Sequence, residues 1–388
     1  MTHEASVPVT DRYATKMLEK ALRLHTVSMS ERPMAEFLAD KCDDLGFGDI
    51  RIDDEVGNIV AIKGSGRPVT MLCGHMDTVP GKIRVRREGD RLYGRGASDA
   101  KAPLMAMLFG AAAATANGGT CVFVGAVDEE GNATGAKSLA RNGVRGPDGR
   151  AIALDYAMFG EPSGIGKITV GYKGRLAISL RVDVGNSGHA GAPWLARNAI
   201  EESAGIARAI KSRLEALGEA GVRIKALTAT VTEVRGGSSH NMMPQGCETT
   251  MDMRVPPGLS CKGVERELSS CVREESASRG VEAFYSILDE TEPFEARADS
   301  VLVRALKIGT VECGEASPLP VLRTGTGDMN VVGNALGIPV VTWGPGDPHL
   351  AHMANEHVSI SEYLRAIEIL KSSLRQLKRL HDRGQGQC

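Results

Sequence analysis

The chain has 388 residues, 42% of them hydrophobic and 24% charged, with a formal net charge of -2. That length allows two domains and a sizeable core, and the composition is that of an ordinary globular protein rather than a disordered or membrane-spanning one. The near-neutral balance gives no reason to expect a nucleic-acid partner, and the longest apolar run, 102–116, is interrupted by Gly110 and too short to cross a bilayer.

Apolar positions recur at helical spacing over 10–25 and 31–46. Short apolar runs bounded by Gly, Asp or Asn follow near 58–63, 69–73, 120–127 and 153–159, with helical stretches at 102–116 and 133–142 between the last three. Strands alternating with helices predict an α/β architecture, a largely parallel sheet covered on both faces. After Gly171-Tyr172-Lys173-Gly174 the pattern changes. A half-exposed strand at 175–184, an amphipathic helix at 197–218, strands at about 223–234 and 247–255, a helix near 260–280 and a strand at 281–289 give the order β-α-β-β-α-β. That order predicts a ferredoxin-like domain over 174–291, inserted into a larger domain made of 1–173 and 292–388. The larger domain resumes from about 299, with a strand at 339–343 and a closing helix at 360–381. Residues 1–6 lack a basic region followed by an apolar core, so no secretory signal is visible and a cytoplasmic location is expected. Eight scattered cysteines without a C-x-x-C read as reduced thiols, several of them in the core.

The stretch 71–80 reads as a buried strand that ends by presenting His75 and Asp77 two positions apart, hence on one side. A carboxylate beside a metal-ligating histidine commonly fixes the ring's orientation. Further glycine-rich runs end in carboxylates: Asp99 within 93–101, Glu129 and Glu130 within 127–131, and Glu161 at 160–162. A late segment adds His349 and His352. Groups at the carboxyl ends of parallel strands share one crevice. Nitrogen and oxygen donors of this kind suit borderline divalent ions such as zinc, and a pair of ions needs a carboxylate that bridges them. Of two adjacent glutamates, one can bind metal while its neighbour carries a proton from water to a leaving amine.

The segments GHMDTVP, GRGASDAKAP, DEEGN, GEPSG, SGHAGAP, SSHNMMP and a late H-x-x-N-E cover nearly the whole chain. Their order and spacing resemble the M20 family of metallopeptidases, which includes succinyl-diaminopimelate desuccinylase, acetylornithine deacetylase and aminoacylase. The resemblance implies a zinc-peptidase-like, mostly parallel sheet with helices on both faces, plus an inserted dimerisation domain in a homodimer. It implies two zinc ions per subunit, with cobalt as an alternative. His75, Asp99 and Glu161 then hold one ion and Asp99, Glu130 and His352 the other, with Asp99 as the bridge. By the same resemblance Asp77 orients His75, Glu129 is the general base, and His189 reaches into the partner subunit's site to donate to the developing oxyanion. Asn241 and Arg254 match substrate-contacting positions, Arg254 as a carboxylate clamp. Gly325-Thr326-Gly327-Asp328 resembles a loop that lies against the substrate's α-carboxylate. His352-Met353-Ala354-Asn355-Glu356 fits H-x-x-N-E, which leaves His349 as a neighbouring polar residue.

Between the first two metal motifs the chain departs from the desuccinylase-like pattern, because 81–95 is short and basic and lacks the usual tryptophan and Pro-Phe pair. Lys82, Arg84 and Arg86 alternate with Ile83 and Val85, so an extended backbone sets three charges on one face, a docking surface for an acidic partner. This segment together with GRGASDAKAPL, GEPSG and GYKGR resembles the LysK branch. Its members release lysine or ornithine from the C-terminal glutamate of a small acidic amino-group carrier protein, LysW. The expected activity is therefore hydrolysis of a carrier-borne amide, and both lysine and ornithine fit. The alternatives are acetylornithine deacetylase, succinyl-diaminopimelate desuccinylase, an M20 dipeptidase, or an inactive metal-binding scaffold.

Overall fold

The computed structural model describes residues 8–114, 119–146, 149–219 and 221–385. Residues 1–6, the expected helix end at 115–116 and Cys388 lie outside them. The chain divides into two compact units: Met1–Val170, Ala296–Val321 and Gly327–Cys388 form one, and Gly171–Glu295 with Leu322–Thr326 the other. The second unit contains the segment 174–291, together with Leu322–Thr326, a stretch that no sequence pattern assigned to it.

The first unit opens with α1 (Asp11–Arg23), capped by Thr10, whose hydroxyl accepts from Tyr13 N, and α2 (Arg32–Asp44). Strands β1 (Gly48–Ile52), β2 (Ile59–Ser65) and β3 (Val69–His75) follow, then the short β4 (Arg86–Glu88) and β5 (Arg91–Tyr93). Next come α3 (Lys101–Ala114), β6 (Gly119–Ala126), α4 (Thr134–Asn142), β7 (Tyr156–Phe159) and β8 (Lys167–Tyr172). The sheet order is β1-β2-β6-β3-β7 and then, after a later strand, β8. β6, β3 and β7 are parallel, whereas β1 pairs with β2, and β2 with β6, antiparallel. β3 is buried along nearly its whole length and α3 is apolar on all sides, as expected of a central parallel strand and the helix packed on it. Gly135 lets α4 pack tightly on the exit of β6: a Cβ there would lie 2.6 Å from Val127 N.

Through β8 the chain enters the second unit: β9 (Gly174–Asp183), β10 (Gly188–His189), α5 (Ala199–Glu215), β11 (Thr228–Gly236), β12 (Met242–Met243), β13 (Gly246–Val255), α6 (Cys261–Arg279), β14 (Glu282–Thr291) and β15 (Phe294–Glu295). Its main sheet has the order β11-β13-β9-β14, the ferredoxin-like arrangement of a β-α-β-β-α-β chain, and its core joins Leu176, Ile178 and Leu180 to Ile206, Ile210, Val264 and Leu268. Asn198 and Ser260 cap α5 and α6, and Gly280 closes α6 in the left-handed conformation.

The chain then forms α7 (Val301–Glu312), β16 (Leu319–Arg323), α8 (Asp328–Leu336), β17 (Val340–Thr342), β18 (His357–Ser359) and α9 (Ile360–Gln385). β17 lies parallel to β7 and antiparallel to β8. The sheet is therefore parallel at its centre and antiparallel at its edges. The observed β11 begins five residues later than the expected strand at 223–234. Val222 and Ile224 alternate as a strand would, yet the N–H groups of Lys225 and Ala226 both turn back to Val222 O.

Candidate metal centre

Strand β3 ends at His75, β6 runs into Asp128-Glu129-Glu130, and β7 into Gly160-Glu161, so three neighbouring parallel strands deliver their polar residues to one crevice. His75 is 1% exposed and Asp77 is fully buried. His75 Nδ1 lies 3.0 Å from Asp77 O and 3.3 Å from Asp77 Oδ1, while Nε2 faces Asp99 Oδ1 at 3.4 Å and Glu161 Oε1 at 3.6 Å. Asp77 does more than the sequence indicated. Its Oδ1 accepts from Glu129 N at 3.2 Å, and its Oδ2 from Glu130 N at 3.0 Å and Ser28 Oγ at 2.7 Å. One carboxylate therefore orients the imidazole and also fixes the backbone of both glutamates.

His352 Nε2 lies 2.8 Å from Glu130 Oε1 and 3.4 Å from Asp99 Oδ2. Asp99 thus turns one oxygen to each histidine, the arrangement a bridging carboxylate requires. His75, Asp99 and Glu161 form one group whose ligand atoms lie within 4.8 Å of one another, and Asp99, Glu130 and His352 form a second. Glu129 is in neither group, and His349, whose N–H donates to Asp347 Oδ1 at 2.9 Å, is in neither. Asp128 (φ 63°) and His352 (φ 64°) hold left-handed backbone, which costs a non-glycine residue energy and is concentrated at functional sites.

The electrostatics are those of a cluster short of positive charge. Burial pushes the Glu129 and Glu161 carboxyls well above the ordinary range and that of Glu130 upward. Burial opposes a charge on His75, but Glu161 and the hydrogen-bonded Asp77 and Asp99 raise it well above an ordinary histidine. The hydrogen bond to Asp99, against some burial, lifts His352 to about 9. Asp328, at the start of α8, is buried with Oδ1 unpartnered, and burial raises it to about 7. Two imidazoles and three carboxylates gathered in this way fit a pair of divalent ions: the donors are the nitrogens and oxygens that zinc takes, and cations offset the burial of so much negative charge.

Glu356, to which the sequence alone gave no role, braces this site. It is fully buried; Oε1 accepts from Ser98 N at 2.9 Å and Asp99 N at 3.0 Å, and Oε2 from Arg95 at 2.8 Å. Arg95 also donates to Met353 O at 3.2 Å. The pair ties the loop bearing Asp99 to the loop bearing His352, and its place in H-x-x-N-E was the available signal.

In the second unit, β10 pairs His189 with Met242, and Ala190 N donates to Asn241 O, so His189 and Asn241 are close neighbours. His189 is exposed, its Nδ1 accepting from Gly191 N. Arg254 and Thr326 also meet: Arg254 donates to Thr326 Oγ1 at 3.1 Å, and Gly325 adjoins them in the chain. The Arg254 guanidinium is partly engaged by Asp252 Oδ1 at 2.7 Å. The basic segment does not act as one face. Lys82 and Arg84 line a cavity, whereas Arg86 bonds Glu88 at 2.6 Å and stacks 3.9 Å above the Tyr93 ring. The tight turn between β4 and β5 accounts for the difference, because it pairs Arg86 with Tyr93 across the hairpin.

Residues 71–376 match the profile of Peptidase family M20/M25/M40. A Pyrobaculum aerophilum protein named for LysW-lysine and LysW-ornithine hydrolysis is 33% identical over 362 residues, 93% of this chain and 97% of that one. The LysW-lysine hydrolase of Deinococcus radiodurans is 32% identical over 376 residues, 94% of this chain and 97% of its own. Among solved structures, a Staphylococcus aureus tripeptidase superposes with a TM-score of 0.80 at 21% identity, covering 96% of this chain and 99% of that one. A dinuclear metal-binding M20 peptidase of Bacillus subtilis does so at 0.71 and 14%, covering 94% and 97%. Taken with full-length relatives of this kind, the profile match establishes that the chain is a hydrolase belonging to peptidase family M20/M25/M40.

Proposed function

We propose that the protein is a dinuclear zinc amidohydrolase, with cobalt as an alternative metal, that releases lysine or ornithine from the C-terminal glutamate of a LysW-like amino-group carrier protein. The observation that carries this reading is the pair of ligand groups sharing Asp99, with Glu129 beside them and outside both. The substrate rests on the names of relatives that match the chain along nearly its whole length.

In this reading His75 and Glu161 would hold one ion, Glu130 and His352 the other, and Asp99 would be shared between them. Bound divalent ions polarise the amide carbonyl and acidify water. Asp77 keeps the His75 ring in register and aims the Glu129-Glu130 turn. Glu129 takes a proton from the attacking water and delivers it to the amine as the carbon–nitrogen bond breaks, so amide and water become carboxylate and amine. His189 donates to the developing oxyanion from the partner subunit of a homodimer joined through the inserted domain. Asn241, Arg254, Gly325 and Thr326 hold the substrate, and Lys82 and Arg84 receive the carrier. A cytoplasmic location belongs to this reading because the proposed biosynthetic reaction and its carrier substrate require it, and no helix among the described residues is long and apolar enough to cross a membrane.

The test is a substrate panel assayed with and without zinc: carrier-borne lysine, carrier-borne ornithine, acetylornithine and succinyl-diaminopimelate. The proposal expects the highest kcat/KM on a carrier-borne amide. Preference for either small acylated amino acid would replace it with a deacylase of the same family.

A further inference from the structure

Two arginines stand side by side on the main sheet of the second unit. The register sets Arg254 of β13 directly opposite Arg175 of β9, and places Asp252 and Asp289 on either side of Ala177 in the next row. Like charges directly opposite on one sheet face are destabilising. The two aspartates offset them in a continuous chain. Arg175 Nη1 donates to Asp289 Oδ2 at 3.1 Å and its Nε to Asp252 Oδ2 at 2.7 Å, while Arg254 Nε donates to Asp252 Oδ1 at 2.7 Å. At the far end Arg254 Nη1 donates to Thr326 Oγ1 at 3.1 Å, and that hydroxyl donates its own hydrogen to Lys173 O at 3.1 Å. Thr326 is thereby fixed as an acceptor. Ala177 is buried on the face turned away from the core, a small side chain that leaves room for both guanidinium groups.

We propose that Arg175 and Asp252 are positioning residues for Arg254, setting its orientation and its charge for the carboxylate of the amino acid that is released. The proposal rests on the reading of Arg254 as a substrate-holding residue. A guanidinium carries five N–H donors in a rigid fork. Asp252 and Thr326 engage three of them: Nε and, at 3.5 Å, Nη2 turn to Asp252, and Nη1 turns to Thr326. One hydrogen on each Nη is left without a partner among the described residues, and these two are the parallel donors that a carboxylate accepts bidentately. Orientation alone requires only Asp252. An aspartate against Arg254 with no second cation would cancel much of the charge that a substrate carboxylate needs. Arg175 answers that need, because it shares Asp252 and is itself balanced by Asp289. Sheet stability is a weak reason for the ladder. Partly exposed ion pairs of this kind contribute little, and neutral residues in place of the facing arginines would remove the repulsion more simply.

The test compares carrier-borne lysine with carrier-borne 1,5-diaminopentane, which is lysine without its carboxylate. The zinc-loaded native protein is assayed beside Arg254→Met, Arg175→Met, Arg175→Lys and Asp252→Ala. The preference for the lysine substrate, as a ratio of kcat/KM values, should fall about tenfold in Arg175→Met and in Asp252→Ala, the scale of a lost charge-assisted bond. The fall should come through KM rather than kcat, as loss of ground-state binding does. Arg175→Lys should recover most of it, because it restores the cation beside Asp252. Metal content and thermal unfolding report that each variant is folded, and Arg175→Gln, with the same expectation, replaces Arg175→Met if that variant does not fold. Equal losses on the two substrates in folded variants mean that the ladder serves only the sheet, which overturns the proposal. So does a native preference in Arg175→Met and Asp252→Ala when Arg254→Met has lost it. If Arg254→Met keeps the native preference, the carboxylate clamp is wrong, and the ladder's purpose falls with it. A native protein that cleaves acetylornithine but no carrier-borne amide would refute the substrate assignment alone. The ladder is then judged by the same ratio for acetylornithine against singly acetylated 1,4-diaminobutane.

Discussion

Replacing Glu356 by Gln removes the charge of a fully buried carboxylate, paired with the partly buried Arg95, while keeping the side chain's shape. The amide oxygen can still accept from Ser98 N and Asp99 N, but its NH2 group then faces Arg95, donor against donor. Breaking one side of a buried ion pair costs about 3–5 kcal/mol. Arg95 keeps its bonds to Gly81 O and Met353 O, so the lower end, about 3 kcal/mol, is expected here. Part of that loss falls on the site, since loosening the Asp99 loop moves the bridging carboxylate; partners behind a ligand typically contribute about 10–100-fold in metal affinity. The assay is zinc competition against a chelator together with thermal unfolding, for Glu356→Gln, Arg95→Met and the double variant. The double variant should cost scarcely more than either single one, because the two residues act as one unit. Native zinc affinity and native unfolding temperature in Glu356→Gln would refute the positioning role.

Glu129→Gln should retain both metals and lose about 10²–10⁴ in kcat, as a base that is not a ligand does; loss of metal instead would exchange the roles of Glu129 and Glu130. Mixed His189→Ala and Glu129→Gln chains should recover part of the activity through heterodimers holding one intact composite site, and no recovery despite proven subunit exchange would count against a histidine acting across subunits. Burial disfavours the Asp155 charge, but Arg67 Nε at 3.0 Å from Oδ2 and Val69 N at 2.7 Å hold its pKa below the ordinary value. The folded state therefore binds this proton less readily than the unfolded chain, and the stabilisation is full above about pH 4 and lost as pH falls through the lower folded value. Asp155→Asn should flatten that acid limb, and parallel acid-unfolding curves would contradict the assignment.

Much of the candidate metal centre was legible because its residues sit at the ends of strongly apolar strands, where His75, Glu129, Glu130 and Glu161 could be placed by element alone. Their supports were legible only where Asp77 meets His75. Asp77 reaches N–H groups more than fifty positions away, and Glu356 reaches Asp99 across the length of the chain, so both depend on tertiary packing that no local pattern encodes. The antiparallel margins were missed for a related reason: β1 (Gly48–Ile52) and β8 (Lys167–Tyr172) are short and flanked by glycine and charge, and pairing with neighbours defines them more than periodicity does. The basic run read as one face because alternation is visible in sequence, whereas the hairpin that turns Arg86 onto Tyr93 is not.

The central claim is that a carrier-borne amide is the substrate. Intact-mass measurement of a carrier protein bearing one lysine on its C-terminal glutamate, incubated with the zinc-loaded protein, tests it most directly. The account predicts conversion of the carrier to its unmodified mass, with one free lysine released per carrier and no conversion by Glu129→Gln. A carrier that keeps its lysine under conditions in which the same preparation cleaves acetylornithine would contradict it.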